Sequence, residues 1–560
     1  MTCSTSAFIS LRMHSKTEIK VSFKMWSSKR NEIIIRNIII IILLIPLAVL
    51  IYNILVQIFS RMAEELTLSY TADAPIYWTV GKGILNGFKL YQDFYETKPP
   101  GIFLISALSF AITGDSFVTN IFCFISLIII GLSPAAFVIL HHSKNKCKNM
   151  PYILLSVFSA LLFGIILMLY VQKRSGAAQV ESFGAAAAIV YILLISFIDG
   201  KNTSYKSPLI WISALFLMLS VMMKEPFLLV CIACALLFIN SIKDLIKKLI
   251  LPLIAGGGAG IILMLATGTF IPYLKYYLPN MLGSHVSRYG SPIARGFNFK
   301  VIFNDLGKFS ACIQALIILL VVGVVILTIY RQYRRDETSL AAIAERIYHI
   351  LKLFVIFYLT AFAVGLGGQY YNHHFVFAVP IYFALFCVFI ADFNRLAKSD
   401  SGKYKVGAVC FFTAVAIISS AASAMLPKYE YDKQKVDNSL VSMHQDAAYV
   451  DQVLDTLGEE RYQYFGFNGN VFYCFTTHLP QGPVFFQDPY NFSSEDNWFS
   501  QNLINQLNNC NVVIVQKINV GVLNDYVKNY LEENFTTTPP ENVTNISLPK
   551  NFNYKIYFRK

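Results

Sequence analysis

Residues 117–140 read FVTNIFCFISLIIIGLSPAAFVIL, an uninterrupted stretch without a single Asp, Glu, Lys or Arg. A helix needs roughly 20 mostly apolar residues to cross the hydrocarbon core of a bilayer, so this stretch predicts a membrane-spanning helix. The whole chain of 560 residues has the same character, because 55% of it is hydrophobic, only 14% is charged and its mean hydropathy is +0.53. A soluble domain averages about 25% charged residues. The sequence therefore predicts a polytopic membrane protein.

Ten further apolar stretches bring the number of predicted spans to about eleven. The full set is 33–59, 117–140, 151–170, 183–198, 208–223, 226–240, 249–270, 309–329, 350–366, 375–391 and 406–426. Cytoplasmic loops of membrane proteins are enriched in Lys and Arg, which gives a test of this division. Loops 141–150, 199–207, 241–248, 330–349 and 392–405 carry 3, 2, 3, 4 and 4 basic residues, whereas the short loops 224–225 and 367–374 carry Lys224 alone. This pattern predicts a cytoplasmic N-terminus and an extracytoplasmic C-terminus.

The net charge of +13 does not indicate a nucleic-acid partner, because the basic residues fall mainly in short loops between apolar stretches. Residues 1–32 are polar and basic, and they predict a cytoplasmic leader before an uncleaved signal-anchor helix. Residues 33–426 are the predicted transmembrane domain. We expect a multi-pass protein of a plasma membrane, and the abundance of Ile, Asn and Lys favours a bacterial one.

Residues 427–560 predict a soluble extracytoplasmic α/β domain. Helix-like stretches at 446–457 and 499–507 alternate with short apolar strands at 462–467, 512–515 and 554–558. Cys474 and Cys510 are the two cysteines of this region, and the sequence leaves open whether they form a disulfide.

The first outer loop, 60–116, concentrates polar residues, and its stretch 73–101 reads DAPIYWTVGKGILNGFKLYQDFYETKPPG. Residues 74–85 have the apolar spacing of an amphipathic helix on the membrane surface, which Gly87 would end. Asp73 stands at the N-cap position of that helix, and a lone Asp there acts in most proteins as a cap only. The apolar segment 101–114 is too short for a crossing and predicts an interfacial or re-entrant helix.

This loop resembles the GT-C glycosyltransferases, in particular the branch of protein O-mannosyltransferases and bacterial aminoarabinose–lipid A transferases. The matching residues are Asp73, Tyr77, the segment Ile84-Leu85-Asn86-Gly87, Tyr91, Asp93 and Lys98-Pro99-Pro100, followed by Gly114, Glu181 in QVESF, Lys224 in MMKEP, and the segment GGQYYNHHF at 367–375. The resemblance covers roughly 33–400, and the C-terminal domain more loosely. Ala74 departs from it, because many relatives have a second acid there, and Thr97 separates Glu96 from the Lys-Pro-Pro.

The resemblance implies an all-α, GT-C-like membrane domain that transfers a sugar from a polyprenyl-phosphate donor to a hydroxyl, usually with inversion. The acceptor would be a cell-wall polymer, a glycolipid or a protein outside the cytoplasm. Such a displacement needs a base for the acceptor hydroxyl and positive charge for the departing phosphate. Asp73 is the predicted base, and Lys98 and Lys224 are the predicted phosphate ligands. Tyr77, Tyr91 and His374 are predicted to support them.

The second long outer loop, 271–308, is basic, with Lys275, Arg288, Arg295, Lys300 and Lys308 against Asp305. Arg288 is the predicted phosphate contact of this loop, since a planar guanidinium fits phosphate oxygens, and Tyr370 or Tyr371 is predicted to lie nearby. Binding of ordinary lipid headgroups, or plain solvation of the loop, remains an alternative explanation of its charge.

No cofactor follows from the sequence with certainty. A divalent cation or a substrate group is an option for the acidic residues Asp93, Glu96 and Glu181. The adjacent His373 and His374 favour packing or hydrogen bonding over metal binding, because neighbouring side chains on an α-helix point in different directions.

Two other functions compete with a transferase. A transporter or flippase for lipid-linked sugars predicts internal repeats and charges near the bilayer midplane. The sequence has no clear repeat, and its ionisable residues collect at helix ends. A non-catalytic scaffold that carries an outer domain fits the topology but leaves the first outer loop unexplained.

Overall fold

The computed structural model describes residues 48–49, 51–60, 63, 73–146, 150–175, 179–282, 291–298, 300–301, 318, 320, 322–323, 325–326, 340–366, 370–399, 433–466, 471–485, 498–517, 523–550 and 552–560. The predicted leader 1–32, the predicted span 406–426 and Arg288 lie outside these residues. The predicted spans 33–59 and 309–329 fall only partly within them.

Six helices in the described ranges are long and apolar enough to cross a membrane: Phe117–Lys144, Ile153–Ser175, Val180–Phe197, Ile242–Ala266, Ile347–Gly365 and Asn372–Asp392. Each coincides with a predicted span, so the chain is a mostly helical, membrane-embedded protein. The predicted spans 208–223 and 226–240 form helices of only 16 and 13 residues, shorter than the roughly 20 that usually cross a bilayer. The structure therefore supports six of the eleven predicted crossings by length and composition.

The helices of the apolar part are numbered in chain order. They are α1 (Ile51–Ser60), α2 (Ala74–Leu85), α3 (Gly101–Thr113), α4 (Phe117–Lys144), α5 (Met150–Ser175), α6 (Val180–Phe197), α7 (Pro208–Met223), α8 (Pro226–Phe238), α9 (Ile242–Ala266), α10 (270–280), α11 (Pro292–Arg295), α12 (Leu340–Gly365) and α13 (Val379–Ser399). A 3₁₀ segment, Asn372–Ala378, leads directly into α13.

Small residues let these helices approach closely, as is common where lipid surrounds a bundle. A Cβ atom on Gly164 of α5 would overlap the carbonyl oxygen of Gly131 in α4. On α6, a Cβ atom at Gly184 would overlap the ring of Phe227 in α8. The first contact joins α4 to α5 and the second joins α6 to α8, and 13 residues of α6 are buried in the bundle.

The described part of the predicted first outer loop, residues 73–116, forms two short helices that pack against each other. Helix α2 ends before Gly87, whose φ of +85° favours glycine, and α3 ends at Gly114, whose φ is +74°. Gly81 allows α2 to lie against the backbone of Ser106 and Ala107 in α3. The predicted helices 74–85 and 101–114 are therefore both present with the predicted glycine ends.

The C-terminal region forms a five-stranded sheet with the strand order β2-β1-β3-β5-β4. Strand β1 is parallel to β2 and β3, whereas β5 is antiparallel to β3 and β4. The elements in chain order are α14 (Lys433–Leu457), β1 (Arg461–Phe465), α15 (Val471–Phe475), β2 (Leu479–Pro480), α16 (Trp498–Asn508), β3 (Val512–Gln516), α17 (Asp525–Asn534), β4 (Phe535–Thr536) and β5 (Tyr554–Arg559). The three predicted strands and two predicted helices are confirmed. Cys474 and Cys510 are both free thiols, so they do not form the disulfide that the sequence left open.

The sheet region packs directly on the first outer loop. The backbone N–H of Tyr95 donates to the carbonyl oxygen of Pro483 at 3.1 Å, and the guanidinium of Arg461 lies 4.5 Å from the ring centroid of Phe88. The Nζ atom of Lys82 donates to the carbonyl oxygen of Thr476 near the end of α15. This contact extends the apolar core from the helices into the sheet.

Candidate functional site

Asp73 stands at the N-cap position of α2, but its side chain makes no capping hydrogen bond there. Its Oδ2 atom instead accepts a long hydrogen bond of 3.5 Å from the hydroxyl of Tyr77 and lies 3.6 Å from Nζ of Lys98. The carboxyl is half-buried, with 27% of its side chain exposed. The geometry therefore does not support the alternative that Asp73 serves only as a helix cap.

Lys98 joins two carboxylates of the first outer loop. Its Nζ atom donates to Oε1 of Glu96 at 3.3 Å while it faces Asp73, and Glu96 is almost fully buried. The backbone N–H and the hydroxyl of Thr97 donate to the same oxygen of Glu96, at 2.7 and 3.1 Å. Thr97, which interrupts the family pattern, thus helps to hold Glu96 beside Lys98.

Charge balance sets the ionisation of this pair. Burial alone would raise the pKa of the Asp73 carboxyl, but the positive charges of Lys98 and its neighbours outweigh it and hold the pKa below its usual value. Burial opposes the charge on Lys98, but the two carboxylates outweigh it and raise the pKa of Lys98. Both groups are therefore charged near neutral pH.

The position of Lys98 depends on two tyrosines that hold the backbone of the loop. The hydroxyl of Tyr91 donates to the carbonyl oxygen of Lys98 at 2.8 Å, and the hydroxyl of Tyr277 donates to that of Thr97 at 3.4 Å. Tyr91 has a φ of +70°, a strained conformation for a residue other than glycine. The same hydroxyl of Tyr277, in the π turn of α10, also lies within hydrogen-bond distance of Oε1 of Glu225 at the start of α8, so its single proton is shared between the two acceptors. Three separate parts of the chain therefore fix this short segment.

A second ion pair lies beside the first, at the ends of α6 and α7. Glu181 is fully buried in the first turn of α6, and its Oε1 atom accepts from Nζ of Lys224. Nε2 of His373 lies 3.9 Å from the same oxygen. The hydroxyl of Tyr77 lies near Asp73 and donates to Oε1 of Gln179 at 3.2 Å, two residues before Glu181 in the chain. Asp73, Lys98, Glu181, Lys224 and His373 are called the charged cluster below.

The segment before α13 supplies the remaining rings. The ring of Tyr371 stacks on His373 with centroids 5.4 Å apart and planes 8° apart, so Tyr371 belongs beside the charged cluster. The ring centroid of His374 lies 4.6 Å from that of His373. Tyr370 instead accepts a hydrogen bond of 3.3 Å from Asn298, next to Arg295, which donates to the carbonyl oxygens of Gly365 and Leu366. Tyr370 therefore contacts the basic loop.

Asp93 is a predicted site residue that does not contact the charged cluster. Its Oδ2 atom accepts from the backbone N–H of Lys89 at 2.7 Å and so closes the turn that follows α2. A turn of this kind is a frequent role for Asp. The structure gives no support for Asp93 as a metal or substrate ligand.

Sequence reasoning missed several residues of the site. Gln179 directly precedes α6, and Arg174 lies in the last turn of α5. The guanidinium of Arg174 donates to Oδ1 of Asn372 at 3.2 Å. Glu225 and Tyr277 support Lys98 from two other helices. Arg174 and Glu225 were detectable as ionisable residues at the ends of apolar segments, which are costly there without a partner. The partner of Tyr277 depends on the tertiary fold and leaves no sequence signal.

A comparison of the sequence with protein-family models gives no match, and neither does a comparison with curated proteins. The chemistry of the site must therefore be argued from its own geometry. That geometry offers two lysine ammonium groups that are 12% and 16% exposed, each paired with a buried carboxylate. It also offers one half-buried carboxylate, that of Asp73, with solvent access. The two ammonium groups can bind an anionic ligand, and the carboxylate of Asp73 beside them can accept a proton.

Proposed function

We propose that the protein is an inverting glycosyltransferase that moves a sugar from a polyprenyl-phosphate donor to a hydroxyl acceptor on the extracytoplasmic side of a membrane. The observation that carries this proposal is the pairing of Asp73 with Lys98, whose charged atoms lie 3.6 Å apart just before the first turns of α2 and α3. A base and a phosphate ligand must lie within one substrate length of each other for such a displacement. The residues that the family resemblance singles out meet this requirement.

The proposed reaction is a single displacement at the anomeric carbon of the donor sugar. The acceptor oxygen forms a bond to this carbon while its proton passes to a carboxylate oxygen of Asp73. The bond between the anomeric carbon and the phosphate oxygen breaks, and its electron pair leaves with the polyprenyl phosphate. Lys98 and Lys224 stabilise the charge on the departing phosphate. Attack opposite to the leaving group inverts the configuration of the sugar.

Lys98 has a second role in this proposal, because its charge sets the strength of the base. A carboxylate whose pKa is held low accepts a proton poorly. When a donor phosphate draws the ammonium of Lys98 towards itself, Asp73 loses part of the charge that holds its pKa down. The bound phosphate adds a negative charge nearby and raises the pKa further. Asp73 is thus a stronger base with donor bound than in the free protein.

Glu181 and Glu96 keep the two lysines in place between turnovers. Each carboxylate is at most 1% exposed and contacts one lysine ammonium, so neither lysine can turn away from the site without leaving a buried charge unpaired. The hydroxyl of Tyr77 lies 3.5 Å from Oδ2 of Asp73 and 3.2 Å from Oε1 of Gln179. A ligand phosphate would therefore meet two cations that Glu96 and Glu181 already hold at the site.

Reconstitution into vesicles tests the proposal against its competitors. The purified chain is mixed with radiolabelled polyprenyl-phosphate sugars and an acceptor pool prepared from the cell envelope of the producing organism. We expect label to move from the lipid to a non-extractable or more polar product. Movement of labelled lipid between leaflets without transfer would instead show a flippase. The absence of both, in vesicles where the chain is folded and binds polyprenyl phosphate, would contradict the proposal.

A further inference from the structure

We propose that Glu181, His373 and His374 form a binding site for one divalent transition-metal ion of the Zn²⁺ class. One carboxylate oxygen and one ring nitrogen from each histidine all lie within 4.8 Å of one another. Two imidazoles and a carboxylate are the ligand set of many catalytic zinc sites, which keep a further position open for water or substrate. The inference stands on this geometry and does not depend on the proposed transfer reaction.

The local backbone explains how two adjacent histidines can serve one ion. Neighbouring side chains diverge on an α-helix, which is why the sequence favoured packing for this pair. His373 and His374 lie instead in the 3₁₀ segment Asn372–Ala378, with their ring planes at 87° and their centroids 4.6 Å apart. Tyr371 stacks on His373 and fixes the orientation of that ring. The edge-to-face arrangement lets a nitrogen of each ring approach Glu181.

The carboxylate of Glu181 provides a second observation that points to a bound metal ion. Glu181 is fully buried, and its Oε2 atom has no hydrogen-bond partner among the residues that the structure describes. Its other oxygen, Oε1, is taken by Lys224. A buried carboxylate oxygen without a partner is costly, and a metal ion beside it would remove that cost. Glu181 can therefore hold Lys224 with one oxygen and the ion with the other.

The ligand atoms must move closer together when the ion binds. Ligand atoms about 2.1 Å from a tetrahedral Zn²⁺ are about 3.4 Å apart, whereas the three ligand atoms here lie within 4.8 Å of one another, so a closure of up to about 1.4 Å is required. The nitrogen-rich ligand set excludes Ca²⁺ and Mg²⁺ as the favoured ions, because these prefer oxygen ligands.

Direct metal binding tests this site without any substrate. The chain is purified in detergent through a tag that contains no histidine, stripped with a chelator and titrated with Co²⁺, whose visible spectrum reports its coordination. We expect about one Co²⁺ per chain with a tetrahedral or five-coordinate spectrum. The variants Glu181→Gln and His373→Gln should weaken binding at least tenfold, since a second-shell change alone can cost 10- to 100-fold. Equal binding in these variants and the wild type would overturn the proposal.

A matched control comes from the other histidine pair of the chain. His141 and His142 are also adjacent, at the end of α4, and His142 Nε2 lies 2.9 Å from the hydroxyl of Ser156. The variant His141→Gln/His142→Gln removes two histidines, one more than His373→Gln removes, and keeps a polar group near Ser156. It should bind Co²⁺ as the wild type does. Loss of binding in this control would contradict the assignment.

The variant Lys224→Met should change the affinity for Co²⁺ in the opposite direction. The ammonium of Lys224 repels a cation beside Glu181, so its removal should tighten Co²⁺ binding by about tenfold or more. If the carboxylate served only as the partner of Lys224, the variant would bind no ion at all, and that outcome would overturn the metal site.

The wild-type chain supplies a test that needs no variant. Zn²⁺ should protect His373 and His374, and leave His141 unprotected, when histidines are acylated and the peptides are analysed by mass spectrometry. Equal labelling of His373 and His374 with and without Zn²⁺ would overturn the proposal. Metal binding without sugar transfer would contradict only the proposed function. Sugar transfer by a chain that binds no metal would contradict only the metal site.

Discussion

Nζ of Lys98 lies 3.6 Å from Oδ2 of Asp73, although one residue precedes α2 and the other precedes α3. This separation is longer than a tight ion pair, and Lys98 is closer to Glu96, at 3.3 Å. Asp73 is therefore the partner that Lys98 can release when a phosphate binds, while Glu96 keeps the ammonium in place. The predictions below follow from this arrangement and from the contacts around it.

The acid limb of the pH–rate profile should report the link between Lys98 and Asp73. The charge of Lys98 holds the pKa of Asp73 down, so Lys98→Met should let burial raise that pKa and move the acid limb of kcat/KM to higher pH. Lys98→Arg keeps the charge and should leave the limb where it is in the wild type. Initial rates across the acidic range check this. An acid limb that stays fixed in Lys98→Met would mean that Asp73 is not the titrating base.

The buried pair of Glu181 and Lys224 should show strong coupling. Lys224→Met leaves a fully buried carboxylate unpaired, which typically costs about 3–5 kcal/mol of folding free energy. Adding Glu181→Gln in the same chain should recover much of that loss. Thermal unfolding of both single variants and the double variant in detergent measures the coupling. Lys201→Met, at an exposed position, is the control, and additive effects of the two buried changes would contradict the pairing.

Tyr277→Phe should impair the site from a distance. The change removes the hydroxyl that bonds to Glu225 and to the carbonyl oxygen of Thr97, so the backbone beside Lys98 loses a support. A misplacement of about 1 Å can cost on the order of a hundredfold in rate. We expect weaker binding of polyprenyl phosphate as well as slower transfer. The neighbouring Tyr276→Phe should change neither, and equal effects of the two variants would argue against a positioning role.

Lys82→Met should loosen the sheet region from the first outer loop. The ammonium of Lys82 donates to the carbonyl oxygen of Thr476 and lies within 3.5 Å of those of Tyr473 and His478. Its loss removes a donor from all three carbonyl oxygens, of which that of His478 still accepts from the hydroxyl of Thr476, so amide hydrogen exchange in 471–485 should become faster. Lys89→Met, at an exposed position of the same loop, should have no effect on that segment. Unchanged exchange in Lys82→Met would show that the apolar contacts alone hold the two parts together.

Much of the local structure follows from the sequence because it depends on short-range rules. Apolar runs predict the six long helices, Gly87 and Gly114 mark the ends of α2 and α3, and alternating short strands predict the sheet. The resemblance places Asp73 and Lys98 in one short loop and at one site, so their proximity was expected, but their direct contact was not predicted. These features need no knowledge of how distant segments pack.

The rest depends on tertiary contacts that one sequence does not encode locally. Tyr277 meets Thr97 from a separate helix, and the sheet region covers the first outer loop through Tyr95 and Lys82. The histidine pair shows the same limit, because the sequence does not distinguish a 3₁₀ turn from an α-helix at 372–378. Arg288 lies outside the described residues, so its role as a phosphate ligand stays a prediction.

The most direct measurement is sugar transfer by Asp73→Asn beside that by Asp115→Asn, in vesicles with equal amounts of folded protein. Both carboxylates belong to the first outer loop, but Asp115 is exposed, and its carboxylate accepts from the hydroxyl of Thr113 and from the N–H of Phe117. Loss of a general base typically lowers a rate about 100- to 10,000-fold, so Asp73→Asn should lose that much activity while it still binds polyprenyl phosphate. Asp115→Asn should transfer at the wild-type rate. Full transfer activity in Asp73→Asn would contradict the assignment of the base and the mechanism built on it.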